Sequence, residues 1–298
     1  MALAGGTGRD KGERTSFLSG VFLHAHGLLA LGATAQRWWI GELGPDTDWK
    51  GVLAAGLATL AGYGYLRSVR AAEPDIIPSG HIHWVRRQRT GMIGLVGLCT
   101  LTAVALCRGQ FLVFGPWSLV VVALLGLYLL PFQGAEGRSI GLREIPGLKA
   151  FLVAAGWAFV TMGVTTAEPT EGFRFDGWIA TVQFCFFLAL SIATDIGDLK
   201  YDRPGLKTIP QILGIRGAKV FAVILMTPVM WYYFIGQAVV GLGGSGVRAM
   251  FVLPLIGSVI TTVAIALVRM DRPKWYFAIL LDGMVLLIPL LGWLGQQV

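Results

Sequence analysis

The sequence predicts an all-α integral membrane protein, a bundle of nine transmembrane helices. Three observations carry that expectation. Hydrophobic residues make up 55% of the 298 and charged residues 14%, more apolar length than a soluble core uses. The apolar residues gather in nine stretches of a length that suits a hydrocarbon layer. Lysine and arginine alternate between the connections that join those stretches. The whole chain, 1–298, reads as one transmembrane domain without a soluble module or tandem repeat.

In order, the stretches are 17–40, 50–66, 91–107, 110–132, 147–166, 177–195, 218–240, 248–268 and 275–295. The first follows Arg9, Lys11 and Arg14 and contains Ala33-Thr34-Ala35, a pattern shared with cleavable signal peptides. Cleavage there would leave eight spans and spoil the charge alternation, so an uncleaved first helix is the expectation. Each stretch carries Gly, Ala, Ser or Thr for close helix contact and is too long for a membrane-depth strand. Trp38, Trp39, Trp49 and Trp275 fit interfacial belts. Cys99, Cys107 and Cys185 lack metal spacing and read as packing residues. His24 and His26 are two apart, hence on different faces of the first helix, while His81 and His83 fall in a connection.

The N-terminus and the connections after the second, fourth, sixth and eighth stretches, taken with Lys149 and Lys219 at the start of the stretches that follow, hold nineteen of the 24 lysines and arginines. By the positive-inside rule these segments are cytoplasmic, in a cell membrane, and the C-terminus lies outside. The net charge of +7 is then a topological signal and an attraction to anionic membrane lipid or diphosphate. No nucleic-acid motif accompanies it.

The sixth stretch leads into Asp195-Ile-Gly-Asp198-Leu-Lys-Tyr-Asp202-Arg-Pro-Gly-Leu-Lys207-Thr-Ile-Pro210. If the helix continues through Asp202, spacings of three and seven place all three acids on one face. Carboxylates about 6 Å apart repel by about 3 kcal/mol at an effective dielectric of about 20, and a helix C-terminus adds to that cost. A divalent cation relieves the conflict, and oxygen-only ligands suit magnesium bridged to phosphate. The alternative is a solvated loop neutralised by Lys200, Arg203 and Lys207. Against it, the uncharged run from Trp178 to Ala193 places the acids where the chain leaves the apolar layer. The Arg203-Pro204-Gly205 turn could bring Lys207 back over them as a phosphate partner.

This stretch resembles the second aspartate-rich motif of the UbiA superfamily of intramembrane prenyltransferases. The likeness lies in the three spaced acids, the Gly-Leu-Lys-Thr-Ile-Pro run and the small-residue stretch Leu213-Gly-Ile-Arg-Gly-Ala218. It implies a nine-helix UbiA-like bundle in which Asp195, Asp198 and Asp202 hold Mg2+ and the diphosphate of an isoprenoid donor. That family's first acidic motif has no counterpart here, although Pro78-Ser79-Gly80 resembles its end. The same level of the second helix reads Ala61-Gly-Tyr63-Gly-Tyr65-Leu-Arg67-Ser-Val-Arg70.

Arg67 and Arg70 would bind diphosphate directly in place of the missing acids, since guanidinium forks match phosphate oxygens; positive-inside topology alone is the alternative. Tyr63 and Tyr65 would hydrogen-bond phosphate or shield an allylic cation, with ordinary interfacial tyrosines as the alternative. Tyr128 and Lys149 resemble residues that line the family's central cavity, and Lys149 would otherwise snorkel to the interface. Asp282, alone within the ninth stretch, packs against another helix's polar group or serves as an acceptor-side base.

The expected function is Mg-dependent transfer of an isoprenoid from a prenyl diphosphate to a lipophilic acceptor. A UbiA-type terpene cyclase, or a noncatalytic isoprenoid-binding or transport protein, stays open. The charge alternation makes a first prediction: reporters fused to the two ends should show the N-terminus inside and the C-terminus outside. A cytoplasmic signal from the C-terminal fusion would defeat the span count or the uncleaved first helix.

Overall fold

The computed structural model describes residues 17–24, 26–42, 49–72, 80–114, 132–133, 139–140, 145, 147–163, 167–168, 172–173, 177–199, 208–240, 245–273 and 275–298. Among these residues the fold is helical almost throughout. The α-helices are α1 (Phe17–His24), α2 (Gly27–Glu42), α3 (Trp49–Ala72), α4 (Gly80–Arg87), α5 (Arg89–Phe114) and α6 (Leu148–Ala158). They continue as α7 (Gly177–Asp198), α8 (Ile209–Val240), α9 (Ser245–Ala266) and α10 (Asp282–Gln296). A π-helical turn, Phe159–Gly163, follows α6, and another, Tyr276–Leu281, leads into α10. Two antiparallel pairs of two-residue strands accompany the helices without changing the all-α class: Phe132–Gln133 with Ser139–Ile140, and Ala167–Glu168 with Gly172–Phe173. Both lie in connections, where pairing satisfies backbone groups between helices.

Five described helices are long and apolar enough to cross a membrane: Arg89–Arg108, Gly177–Asp198, Ile209–Val239, Ala249–Ala266 and Tyr276–Gln296. The count of nine is not reached among the described residues. The expected span 110–132 lies mostly outside them, and the apolar helix Leu148–Thr161 is shorter. The expected span 17–40 is broken between α1 and α2. There His26 adopts φ 58°, a left-handed conformation that most L-residues avoid and histidine tolerates better than most. Two further boundaries differ from expectation. His83 lies in helix α4 rather than in a loop, and α8 starts at Ile209 rather than near 218, interrupted at Gly214 where φ is 69°. Only glycine enters that region without steric cost.

The start of α8 follows from its sequence. Thr208 stands before the first turn, and the Gln211 side chain accepts a hydrogen bond from the Thr208 amide at 3.1 Å, half of a capping box. Pro210 in the first turn costs nothing, because that amide would be unpaired in any case.

The helices close into a ring. In order of contact, α2 packs on α10, α10 on α9, α9 on α8, α8 on α7 and α7 on α6, and the π turn after α6 returns to α2. Outside that ring α3 packs on α2, and α5 on α3. Helix α7 is the most enclosed, burying Phe186 through Leu190 and then Ile192, Ala193 and Ile196. Polarity runs opposite to a soluble protein: Gln36, Gln183, Ser258, Thr261, Asp195 and Asp282 are buried, while Leu98, Leu101, Val220 and Ile224 are exposed. A buried relay crosses the ring, with Gln183 Nε2 donating to Gln36 Oε1 at 3.2 Å and Gln36 Nε2 donating to the Val285 carbonyl at 3.0 Å. Such interhelical bonds hold a bundle that the hydrophobic effect does not drive together in lipid.

Close approach of α10 depends on glycine. A Cβ on Gly292 would lie 2.4 Å from the Trp39 ring, and one on Gly295 would lie 2.4 Å from the Ala249 backbone. Gly295→Leu should therefore destabilise the solubilised protein by about 1–3 kcal/mol, the usual cost of overpacking, read as a lower thermal midpoint. Gly156→Ala, with no neighbour within 4 Å, should not lower the midpoint.

Candidate functional site

The charged residues of the bundle meet where the later part of α3 and the last turns of α7 approach the first residues of α2, α6 and α10. Helix α7 carries no charge until Asp195, which is buried. Its Oδ1 accepts a hydrogen bond from Lys149 Nζ at 2.7 Å, an ion pair between the second residue of α6 and the end of α7. Lys149 therefore turns inward to a carboxylate. Asp198, one turn on, closes α7 half-buried and makes no ion pair among the described residues.

A second cluster adjoins the first. The break between α1 and α2 projects the His26 ring toward α10, where Nδ1 lies 3.2 Å from Asp282 Oδ2. On its other side Nε2 lies 2.5 Å from Nη2 of Arg67. Guanidinium has no acceptor, so Nε2 must carry the lone pair and Nδ1 the proton, which it donates to Asp282. His26 is thus a neutral imidazole held at both ends. Tyr63, one turn before Arg67 on the same face of α3, tilts over the His26 ring at 4.7 Å between centroids. The Tyr63 hydroxyl accepts a hydrogen bond from Trp157 Nε1 at 3.2 Å, and Trp157 stacks on Phe187 at 4.3 Å. Asp198 lies within electrostatic range of His26, which links the two clusters.

Of the residues the sequence singled out, the structure brings together Asp195, Asp198, Lys149, Tyr63, Arg67 and Asp282, the last against a polar group of another element as expected. Tyr65 follows Tyr63 by two residues, about 200° round α3, and is half-buried on the other side. Asp202, Lys207 and Tyr128 lie outside the described residues, as does the Arg70 side chain. Helix α7 is described to Asp198, and within it Asp195 and Asp198 share a face. Sequence reasoning missed His26 as a site residue, since its partners stand 41 and 256 positions away and leave no local spacing to read.

The donor set can be weighed against magnesium. Among the described residues no three His, Cys, Asp or Glu side chains converge, and Asp195 commits one oxygen to Lys149. A cage made wholly of protein is therefore not built from them. Magnesium needs less, since one or two carboxylates, water and phosphate oxygens complete its shell. Asp195 and Asp198, one turn apart at the end of α7, are oxygen donors of the kind such a shell takes, so these residues fit the ion. The buried Thr208 hydroxyl at the start of α8 has no hydrogen-bond partner among the described residues.

The arrangement defines a class: a membrane-crossing helical ring with a charged centre against one end of its apolar interior. No protein-family model and no curated protein matches the sequence. Among solved structures the chain is similar to the apo structure of a UbiA homolog from Aeropyrum pernix K1, with a TM-score of 0.61 and 16% identity. The likeness covers 91% of this chain and 97% of that one. The ring therefore has the UbiA fold.

The Lys149–Asp195 pair makes a prediction about stability. Lys149→Met should leave Asp195 buried without compensation and cost about 3–5 kcal/mol in thermal or denaturant unfolding. Lys149→Met with Asp195→Leu should recover at least half of that loss in a double-mutant cycle.

Proposed function

We propose that this protein is a Mg-dependent intramembrane prenyltransferase that moves an isoprenoid from its diphosphate to a lipophilic acceptor. The observation that carries the reading is a UbiA fold whose buried centre holds Asp195 and Asp198 at the end of an uncharged helix. Asp195, Asp198 and Asp202 would hold the ion, which would supply charge neutralisation for the departing diphosphate. Lys207, Arg67 and Arg70 would bind the diphosphate oxygens, and Lys149 would guard Asp195 when no donor is present. Tyr63, Tyr65 and Tyr128 would line the reacting end of the donor, with Trp157 and Phe187 excluding water from the allylic cation. The proposal includes nine spans, with 110–132 as the fourth, one domain over 1–298, and a cytoplasmic N-terminus in the cell membrane.

One observation favours a second reading. Lys149 already neutralises Asp195, as in a bundle that binds an isoprenoid without ionising it. Magnesium dependence separates the two. Asp198→Asn should abolish the part of prenyl diphosphate affinity that requires magnesium while leaving the thermal midpoint within a few degrees. Binding is measured with and without the ion, and unchanged metal-dependent affinity would return Asp198 to a solvated helix end.

A further inference from the structure

The contacts of His26 point to a task beyond holding helices together. A neutral imidazole with a carboxylate on Nδ1 and its lone pair on Nε2 has the form of a general base. The ring is not sealed, for the His26 side chain is 20% exposed and that of Asp282 10%. The backbone at φ 58° costs about 1–3 kcal/mol, and such a cost persists where surrounding contacts over-determine the conformation. What occupies Nε2 is Arg67, the residue expected to bind diphosphate. A guanidinium gains more from a polyanion than from a neutral ring nitrogen, since the polyanion adds the Coulomb attraction of full opposite charges and accepts two parallel bonds from the guanidinium fork.

Resting on the prenyl-transfer reading, we propose that His26 is the base that deprotonates the acceptor, with Asp282 as its positioning residue and Arg67 as a cover withdrawn by donor diphosphate. In the step, the C1–O bond of the donor breaks and its electron pair leaves with diphosphate. The acceptor's nucleophilic atom, the oxygen of an alcohol or phenol, forms the new bond to C1. The proton from that hydroxyl passes to His26 Nε2, and the imidazolium is balanced by Asp282. Release of the proton to water restores the neutral ring. The lone pair becomes available only when a donor is bound, which couples deprotonation to donor arrival. The acceptor class is then a lipid bearing an ionisable or polar hydroxyl, with its tail in the apolar interior.

The test uses full-length protein in lipid nanodiscs. With histidines labelled in nitrogen-15, His26→Gln assigns the His26 signals among the four histidines. In the wild type, inorganic diphosphate with magnesium should shift the Nε2 resonance toward that of an uncovered nitrogen, and Arg67→Met should show that position without diphosphate. With labelled farnesyl and geranylgeranyl diphosphates and native lipid extract, His26→Gln should bind donor within about threefold of wild type but transfer about 100-fold more slowly. Asp282→Asn should slow transfer at least about 10-fold with the same donor affinity. His26→Gln transferring at the wild-type rate would sink the base while leaving prenyl transfer intact. An Nε2 signal that ignores both diphosphate and Arg67→Met would sink the cover. A wild type that binds neither donor overturns the function reading and this inference together, and is recognised by the absence of binding before any variant is compared.

Discussion

Lys149 meeting Asp195 across 2.7 Å is the contact on which the centre of the bundle depends. In a bundle whose outer faces are Leu, Val and Ile, water does not solvate a buried carboxylate, so every charge needs a partner supplied by another helix. That need fixes which helix ends converge. Asp195 draws the start of α6 to the end of α7, Asp282 draws the start of α10 to the break before α2, and Arg67 ties α3 to the same ring. Apolar packing alone leaves helices free to slide, since lipid is as apolar as their flanks. Ion pairs and the Gln183–Gln36–Val285 relay set their depth.

Both π turns adjoin this centre. One comes just after Trp157 and the other ends immediately before Asp282. A π turn inserts an extra residue and rotates the next part of the helix by about 100° relative to a continuous α-helix. Asp282 therefore reaches His26 on a face that an unbroken helix from Trp275 would have turned elsewhere. The aromatic group of Tyr63, Trp157 and Phe187 fills the space beside it, presenting ring faces rather than carbonyls. Electrostatics and dryness are thus supplied by neighbouring residues of the same elements.

Much of the fold is legible because membrane helices obey two short-range rules, apolar length and flanking charge. The uncharged run ending at Asp195 shows where the chain leaves the apolar layer, and helix α7 is found there. The break at His26 is not legible, because His24-Ala-His26-Gly27 interrupts the apolar run too briefly to mark a helix end and the partner that meets His26 stands 256 positions away. Lys149 illustrates the same limit: one cation a turn inside a helix has the same sequence signature whether it snorkels outward or pairs inward. The i, i+2 spacing of His24 and His26 excludes a local metal pair and leaves pocket polarity or packing, and that logic is blind to which partners on other helices decide between them. Tyr63 and Tyr65 look alike in sequence, and only the neighbours of α3 distinguish them. Helix α4 leaves no signal of this kind, since eight residues rich in His and Arg lack the length and apolarity of a span.

The ring has a consequence for how the protein is made. Its closing contacts join the start of the chain to the end: His26 to Asp282, Gln36 to Val285, and Trp39 to Gly292. During translation α2 therefore enters the bilayer long before its partners exist, carrying Gln36 without the carbonyl that later receives it. Until α10 leaves the ribosome, the early helices are held by provisional company such as lipid headgroups, water or an insertion chaperone. A nascent chain stopped short of α10 would be an open arc with its polar groups facing lipid. Quality control in the membrane could recognise such an arc by those exposed polar groups.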